Sequence, residues 1–511
     1  MEGSSVMNRT SNTIRNIKFA LAGQVLGIFI SLVSRRIFVV FLSAEYLGLN
    51  GLFSNLLSML SLAELGVGAA IVYSLYKPIA ENNVSEIKSL MLLYKKTYTA
   101  VGIFILVSGC SLTPFLQLFI KEMPAIPNIK LIYIIFVVNS ATSYFFTYKR
   151  SLITANQQFY IVTIYRYGFY FVLNIAQIIV LSLTRNFTFY LLLQTTSTLL
   201  ENILLSKKAD CLYPFLLEKE VKPLPNHTKS EVKKNVFAMI FHKIGGVIVF
   251  STDNILISKL VGLTAVGIYS NYMMIRQALN IITGLTFQSV SASLGNLNVL
   301  GSDKRKLEIF QIINFVGAWT FGFCSICLTV LINPFISLWL GKEYLFSTPI
   351  VFWIVLAYYV SGMRSACGTA RDVMGIFWYD RYKPLFEVTI NIIASVILGK
   401  KFGVAGIMAG TVISTMTTCF WVEPLVLYRH GLHAPVRTFF VRYGIYTLIT
   451  VLAGAVTIVL CKFTPPSGIM GFGAKLAVCA VVPNAIFTIC YFRTSEFKHL
   501  LSIAMDMIRN R

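Results

Sequence analysis

The sequence predicts an all-α polytopic membrane protein with about fourteen transmembrane helices. Three observations carry that prediction. Of the 511 residues, 56% are hydrophobic and 13% charged, against about 25% charged in an ordinary soluble protein. Apolar runs of roughly 20 residues, long enough to cross a bilayer as a helix, recur from end to end. Lysine and arginine crowd one set of alternate loops, roughly 29 residues against roughly eight in the other set, the asymmetry of the positive-inside rule. Outer-membrane barrels, with alternating segments of about ten residues, are excluded.

The expected span cores are 17–43, 48–75, 97–120, 129–148, 160–184, 187–206, 236–261 and 264–292, then 309–339, 348–370, 384–402, 403–428, 440–461 and 471–492. The start, "MEGSSVMNRTSNTIRNIKFALAGQ", is polar, then basic, then apolar, with no small-residue cleavage site after it. It reads as an uncleaved first span, with Met1 or Met7 as the start. The basic loop set contains both termini, so both are expected in the cytoplasm of a bacterial cell, bounded by its inner membrane. The longest hydrophilic stretch, Lys207 to Asn235, is rich in lysine and proline and reads as a solvated cytoplasmic linker. The expected organisation is therefore a six-helix half over 1–206, a linker over 207–235, a second six-helix half over 236–430, and two further helices with a tail over 431–511. A weak repeat supports the halves: "YLGLNGLFSNLL" at 46–57 aligns with "AVGIYSNYMMI" at 265–275, Gly48 against Gly267. Halves of even span number are parallel repeats about an axis along the membrane normal.

A net charge of +23 raises the question of nucleic acid. The basic residues sit in short loops between apolar runs, where they set topology and need no nucleic-acid partner. Catalysis lacks its parts. The five histidines are scattered, and no metal-ligand spacing, phosphate-binding glycine loop or nucleophile elbow occurs. Cys324 and Cys327 in "GFCSICLTV" have CxxC spacing, but no second pair completes a site, so they read as packing residues. No enzyme, cofactor or metal is expected.

Polarity on helical faces is the informative signal. At 100° per residue, Gln24, Gly27, Ser31, Ser34 and Arg35 share one arc of the first span, and Asn50, Ser54, Ser58, Ser61, Glu64 and Gly68 share one in the second. The seventh span carries His242, Gly245, Gly246, Thr252 and Asp253, and the eighth Tyr272, Arg276, Asn280 and Thr283. Small residues that merely allow close packing account for Gly406 and Gly410 in "GVAGIMAGTVIS". They do not account for ionisable residues, which within a membrane mark pathways or pairs. In "SLVSRRIFVVF" two adjacent arginines point about 100° apart, so Arg35 falls on the polar arc and Arg36 projects from its side. Snorkelling to the outer interface is the competing account of both. Lys243, near a span end, fits snorkelling equally well, and Arg166 in "TIYRYGFYF" and Arg364 in "SGMRSACG" stand between the two accounts. A lumen with several arginines and fewer acids suits an anionic substrate, because arginine grips phosphate bidentately and keeps its charge. The candidate substrate contacts are Arg35, Arg276, Arg36, Lys243, Arg166 and Arg364. Asp253 and Glu64 are candidate counter-ions or proton or sodium coupling sites.

These residues also carry a family resemblance. "YLGLNGLFSNLLSMLSLAELGVGAAIVYSLYKPIAENN" and "STDNILISKLVGLTAVGIYSNYMMI" resemble segments of bacterial polysaccharide flippases of the Wzx type. "NRTSNTIRNIKFALAGQ" and "WVEPLVLYRHG" are similar to other parts of that family, so the resemblance covers nearly the whole chain. These flippases belong to the multidrug/oligosaccharidyl-lipid/polysaccharide exporter superfamily, with lipid II flippases and multidrug extruders. The resemblance implies two six-helix lobes in a V plus two C-terminal helices. It implies translocation of an undecaprenyl-diphosphate-linked oligosaccharide to the outer leaflet by alternating access, with membrane lipid and other polysaccharide-assembly proteins as partners. It also implies that basic residues on the first, second, seventh and eighth spans meet the diphosphate, which Arg35 and Arg276 match by position. Asp253 is acidic where a cationic lumen would be expected.

Overall fold

The computed structural model describes residues 2–64, 67–218, 220–225, 228–230, 232, 251–300, 302–376, 378–466 and 468–509. Among them there is no strand, and the protein is an all-α polytopic membrane protein. The helices are α1 Glu2–Phe41, α2 Ala44–Leu60, α3 Val67–Ala80, α4 Val84–Leu112, α5 Ile129–Ala155, α6 Phe159–Thr184 and α7 Phe187–Leu212. They continue with α8 (251–260), α9 Leu263–Leu300, α10 Asp303–Trp339, α11 Thr348–Met363, α12 Ser365–Met374 and α13 Lys383–Thr417. The chain ends with α14 Cys419–His430, α15 Arg437–Cys461, α16 Gly468–Tyr491 and α17 Ser495–Arg509.

Nine helical segments among the described residues are long and apolar enough to cross a membrane. The difference from the expected fourteen has local causes. The second expected span is broken: α2 gives way to a 3₁₀ turn at Ser61–Glu64 before α3. Polar residues dilute α7 and α9, and most of the seventh expected span lies outside the described residues. The eleventh and twelfth count as one run, 383–430, although the chain reverses at Gly403.

Side chains that satisfy exposed backbone donors set several helix starts. Asn186 Oδ1 accepts from the Thr188 and Phe189 amides (2.8 and 3.3 Å) to begin α7, and Asn83 Oδ1 accepts from the Glu86 amide (3.2 Å) to begin α4.

Contacts divide the chain into two units, Met1–Gly267 and Ile268–Arg511. In the first, α1 runs alongside α6 in parallel. Gly23 and Gly27 seat the Tyr167 ring, Ser31 and Tyr170 share a hydrogen bond of 2.5 Å, and Phe38 meets Phe187 and Tyr190 edge-on. The core beneath α2 centres on Phe53, which is fully buried and meets the Tyr133 and Phe136 rings at 5.0 and 5.7 Å. Gly48 and Gly267, the two glycines aligned by the repeat, lie at one crossing. A β-carbon on Gly48 would strike the Leu263 carbonyl, and one on Gly267 would strike the Ala44 carbonyl.

The stretch 207–235, expected to be solvated, is packed where it is described. Tyr213, Phe215, Leu216 and Leu224 join the apolar cluster of α4, and the Ser89 hydroxyl donates to the Lys222 carbonyl at 2.6 Å. The lysines face outward while the interspersed aromatic and aliphatic residues dock, which a composition count over the whole stretch conceals.

In the second unit α10 packs against α11, α15 and α16, and the Trp319 indole N–H donates to Asn484 Oδ1 at 2.9 Å. Within α13 the two arms of the reversal are antiparallel. The Ser395 hydroxyl donates to the Ile407 carbonyl (3.1 Å) and Asn391 donates to the Thr411 hydroxyl (3.1 Å). Gly406 and Gly410 give the close approach expected of them, lying against Leu398 and Ser395. All nine cysteines are free thiols.

Candidate functional site

The first candidate region lies on α1, α6 and α7. Arg35 is half-buried and within electrostatic reach of the Tyr170 and Tyr190 hydroxyls, while Arg36 is exposed. The packing of α1 on α6 fixes this arrangement. The Ser31–Tyr170 hydrogen bond and the Phe38–Tyr190 contact bracket Arg35 one turn to either side. Arg166, one turn before Tyr170 on α6, is exposed, and Glu201 of α7 lies within electrostatic reach of both Arg166 and Arg150. The structure thus gathers Arg35, Arg150 and Arg166 onto neighbouring helices of one unit with Glu201 among them. Cationic guanidiniums beside tyrosine hydroxyls form a donor-rich surface suited to phosphate oxygens.

Sequence reasoning missed Arg150, because α5 was expected to end at residue 148. It continues to Ala155 and carries Arg150 in half-buried. Tyr170 stood in plain view in "TIYRYGFYF", at the i+4 position from Arg166.

Glu64 lies at the break between α2 and α3. The Tyr98 hydroxyl donates to its Oε1, and the Tyr144 hydroxyl lies within electrostatic reach. A β-carbon at Gly68 would collide with Glu64 and with the Tyr94 and Tyr98 hydroxyls, so the glycine makes room for this group. Asp253 is 5% exposed on α8, beside the buried Ser251 and Thr252. Lys243, together with His242, Gly245 and Gly246, lies outside the described residues.

The polar series of the eighth span divides, which corrects its reading as one wet face. Tyr272 is fully buried: its hydroxyl donates to Asn333 Oδ1 (2.6 Å) and accepts from the Phe346 amide (2.7 Å). Thr283 is buried as well, whereas Arg276 is half-buried, its Nη1 3.9 Å from Met273 Sδ.

Arg364 belongs to a carboxylate network in the second unit. Its Nη2 and Nε donate to the two Glu423 oxygens at 2.7 and 3.1 Å, and its Nη1 donates to Glu387 at 3.2 Å. Lys383 also donates to Glu423, and Arg371 donates to Asp380 at 2.7 Å. Glu423 is 2% exposed and Asp380 is fully buried. Three cations (Arg364, Arg371, Lys383) face three buried carboxylates (Asp380, Glu387, Glu423), so the network is neutral. None of these carboxylates was a candidate from sequence. They lie 23 and 59 positions from Arg364, and only the packing of α12, α13 and α14 joins them.

No group of three or more histidine, cysteine, aspartate or glutamate side chains among the described residues could hold a metal ion.

Fold and site together define a multi-pass, all-helical membrane protein with ionisable residues inside its helices. Known proteins of similar fold are transporters. A lipid II flippase, MurJ, in its inward closed conformation matches with a TM-score of 0.64 and 15% identity, over 94% of this chain and 99% of that one. An inward-facing multidrug resistance MATE family transporter of the MOP superfamily matches with a TM-score of 0.58 and 12% identity, over 79% and 96%. The Vibrio cholerae MATE transporter VcmN, as a mutant, matches with a TM-score of 0.55 and 10% identity, over 83% and 99%. At these identities the likeness is one of fold. No family model and no curated protein matches the sequence.

Proposed function

We propose that the protein is a flippase of the bacterial cytoplasmic membrane, with both termini cytoplasmic. It carries undecaprenyl-diphosphate-linked oligosaccharide repeat units from the inner to the outer leaflet by alternating access, for surface polysaccharide assembly. The observation that supports this most is Arg35, half-buried inside an apolar helix beside Tyr170 and Tyr190. An arginine there is costly in lipid, by about 2.5–3.5 kcal/mol on insertion scales. A diphosphate is an anion that would offset that cost. Arg276 takes the corresponding role on the eighth span. Asp253 and Glu64, as coupling sites, would link proton or sodium binding to the transport cycle.

A second reading is supported by the likeness to MurJ: the lipid carried is lipid II, whose diphosphate would meet the same arginines. A multidrug exporter would need luminal acids in excess, and Arg35, Arg150 and Arg166 make the first region cationic.

The deciding experiment reconstitutes the protein in vesicles with an undecaprenyl-diphosphate oligosaccharide or with lipid II, and follows arrival of each in the opposite leaflet. Transport of the oligosaccharide lipid with little of lipid II is the expected result. Movement of lipid II alone would overturn the first reading. In the same assay Asp253→Asn should slow transport and change its pH or sodium dependence; an unchanged profile would leave Asp253 with a structural role.

A further inference from the structure

A cavity of about 300 Å³ lies in the first unit where the linker crosses the ends of α4 and α5. One side carries the ammonium groups of Lys88, Lys95 and Lys149, and the other is apolar, formed by Met91, Leu92 and Phe215 among others.

The three lysines are not equivalent. Lys149 is held by both oxygens of Asp210 at 2.7 and 2.6 Å, and both side chains are largely covered, so this pair is structural. Lys95 is exposed at the rim. Lys88, only 10% exposed, donates to Glu218 Oε2 at 2.7 Å, but the Glu218 side chain is 63% exposed. A fixed, covered cation thus faces an anion that stands mostly in water and is free to swing away. The linker around Glu218 is anchored independently. The Pro214–Leu217 turn packs on α4 through Phe215 and Leu216, and the Ser89 hydroxyl holds the Lys222 carbonyl. The cavity therefore does not depend on the Lys88–Glu218 pair.

We propose that this cavity binds an anionic phospholipid. Lys88 and Lys95 engage its phosphate oxygens in the place that Glu218 Oε2 now holds, and its glycerol and first acyl carbons lie on Met91, Leu92 and Phe215. Glu218 is the internal occupant that the lipid phosphate displaces. The alternating loop charge puts these helix ends at the inner leaflet, whose anionic headgroups attract clustered lysines. A free phosphate ion would satisfy the lysines and leave the apolar side uncovered. The site is separate from Arg35 and does not depend on what the protein transports.

The test uses full-length protein in detergent, with phosphatidylglycerol or phosphatidylcholine added and retained lipid counted by native mass spectrometry. The wild type should retain phosphatidylglycerol preferentially. Lys88→Gln and Lys95→Gln should each weaken retention by about fivefold, the effect of one lysine near an anionic surface. Glu218→Gln should strengthen it, because the competing anion is gone. Should Lys88→Gln fail to fold, Lys95→Gln and Glu218→Gln at exposed positions still decide the matter. Equal retention of the two lipids, no effect of Lys95→Gln, or weaker retention in Glu218→Gln would each overturn the proposal. Inorganic phosphate that displaces the lipid at equal concentration would assign the site to free phosphate instead.

Discussion

Arg35 and Arg364 are both arginines inside apolar helices, yet their surroundings differ in kind. Arg364 meets two carboxylates through all three guanidinium nitrogens, in a network whose charges cancel. Arg35 lies between tyrosine hydroxyls, in a unit where Arg150 and Arg166 add positive charge and Glu201 is the acid among them. A cation neutralised within its own unit has a structural role, since charge buried with matched partners holds helices in register. A cation surrounded by neutral donors leaves electrostatic attraction to be met by an anion from elsewhere. The comparison separates arginines that hold the protein together from arginines that act on something it carries.

The sharpest way to break this distinction is at Glu423. Glu423→Gln strands Arg364 and Lys383 with uncompensated charge and should destabilise the protein by about 3–5 kcal/mol, as removal of one partner of a buried pair does. The unfolding midpoint of the purified protein measures this. Arg364→Lys keeps the charge, loses the fork on Glu423 and should fall between wild type and Glu423→Gln. An unfolding midpoint unchanged in Glu423→Gln would show that the network does not stabilise the second unit.

Arg35→Ala should do the reverse: near-normal stability and abundance, with transport severely reduced. The loss expected for charge-assisted hydrogen bonds is about 1.5–3 kcal/mol in substrate binding, roughly 10- to 100-fold. Arg35→Lys should retain part of the activity, and Arg36→Ala should be milder. Protein level and accumulated lipid-linked units must be measured together, because misinsertion would mimic lost transport. Normal transport in Arg35→Ala would assign the residue to the membrane interface.

The smallest expected effect is that of Ser31→Ala, which removes the hydrogen bond to Tyr170. About 1 kcal/mol of stability is at stake, with a modest change in transport if Tyr170 helps to orient Arg35. A full loss of transport at normal stability would mean that the hydroxyl itself meets the substrate.

The fold was legible where it depends on length and apolar character. The expected cores at 129–148, 160–184 and 471–492 fall within Ile129–Ala155, Phe159–Thr184 and, but for one residue, Gly468–Tyr491. The division between residues 402 and 403 coincides with the reversal at Gly403. Pairing was not legible. Periodicity reports which residues share a face, not what faces them, so Arg364 could not be matched to Glu387 and Glu423. For the same reason Tyr272 read as wet, although its hydroxyl is committed to Asn333 and Phe346 in the core. The docked linker escaped notice because the packed residues, Tyr213, Phe215 and Leu224, are few among many charges.

The reversal at Gly403 bears on which side of the membrane the rest of the chain occupies. Its φ of 59° and ψ of −134° belong to a region open essentially to glycine. Without that conformation Lys383–Thr417 would be a single 35-residue helix, about 52 Å long at 1.5 Å per residue. That far exceeds the roughly 30 Å of a hydrocarbon core. Such a rod would cross once where the folded pair crosses twice, and α14 to α17 would then face the opposite compartment. One backbone angle therefore sets the crossing parity of everything that follows it, with no charged residue taking part.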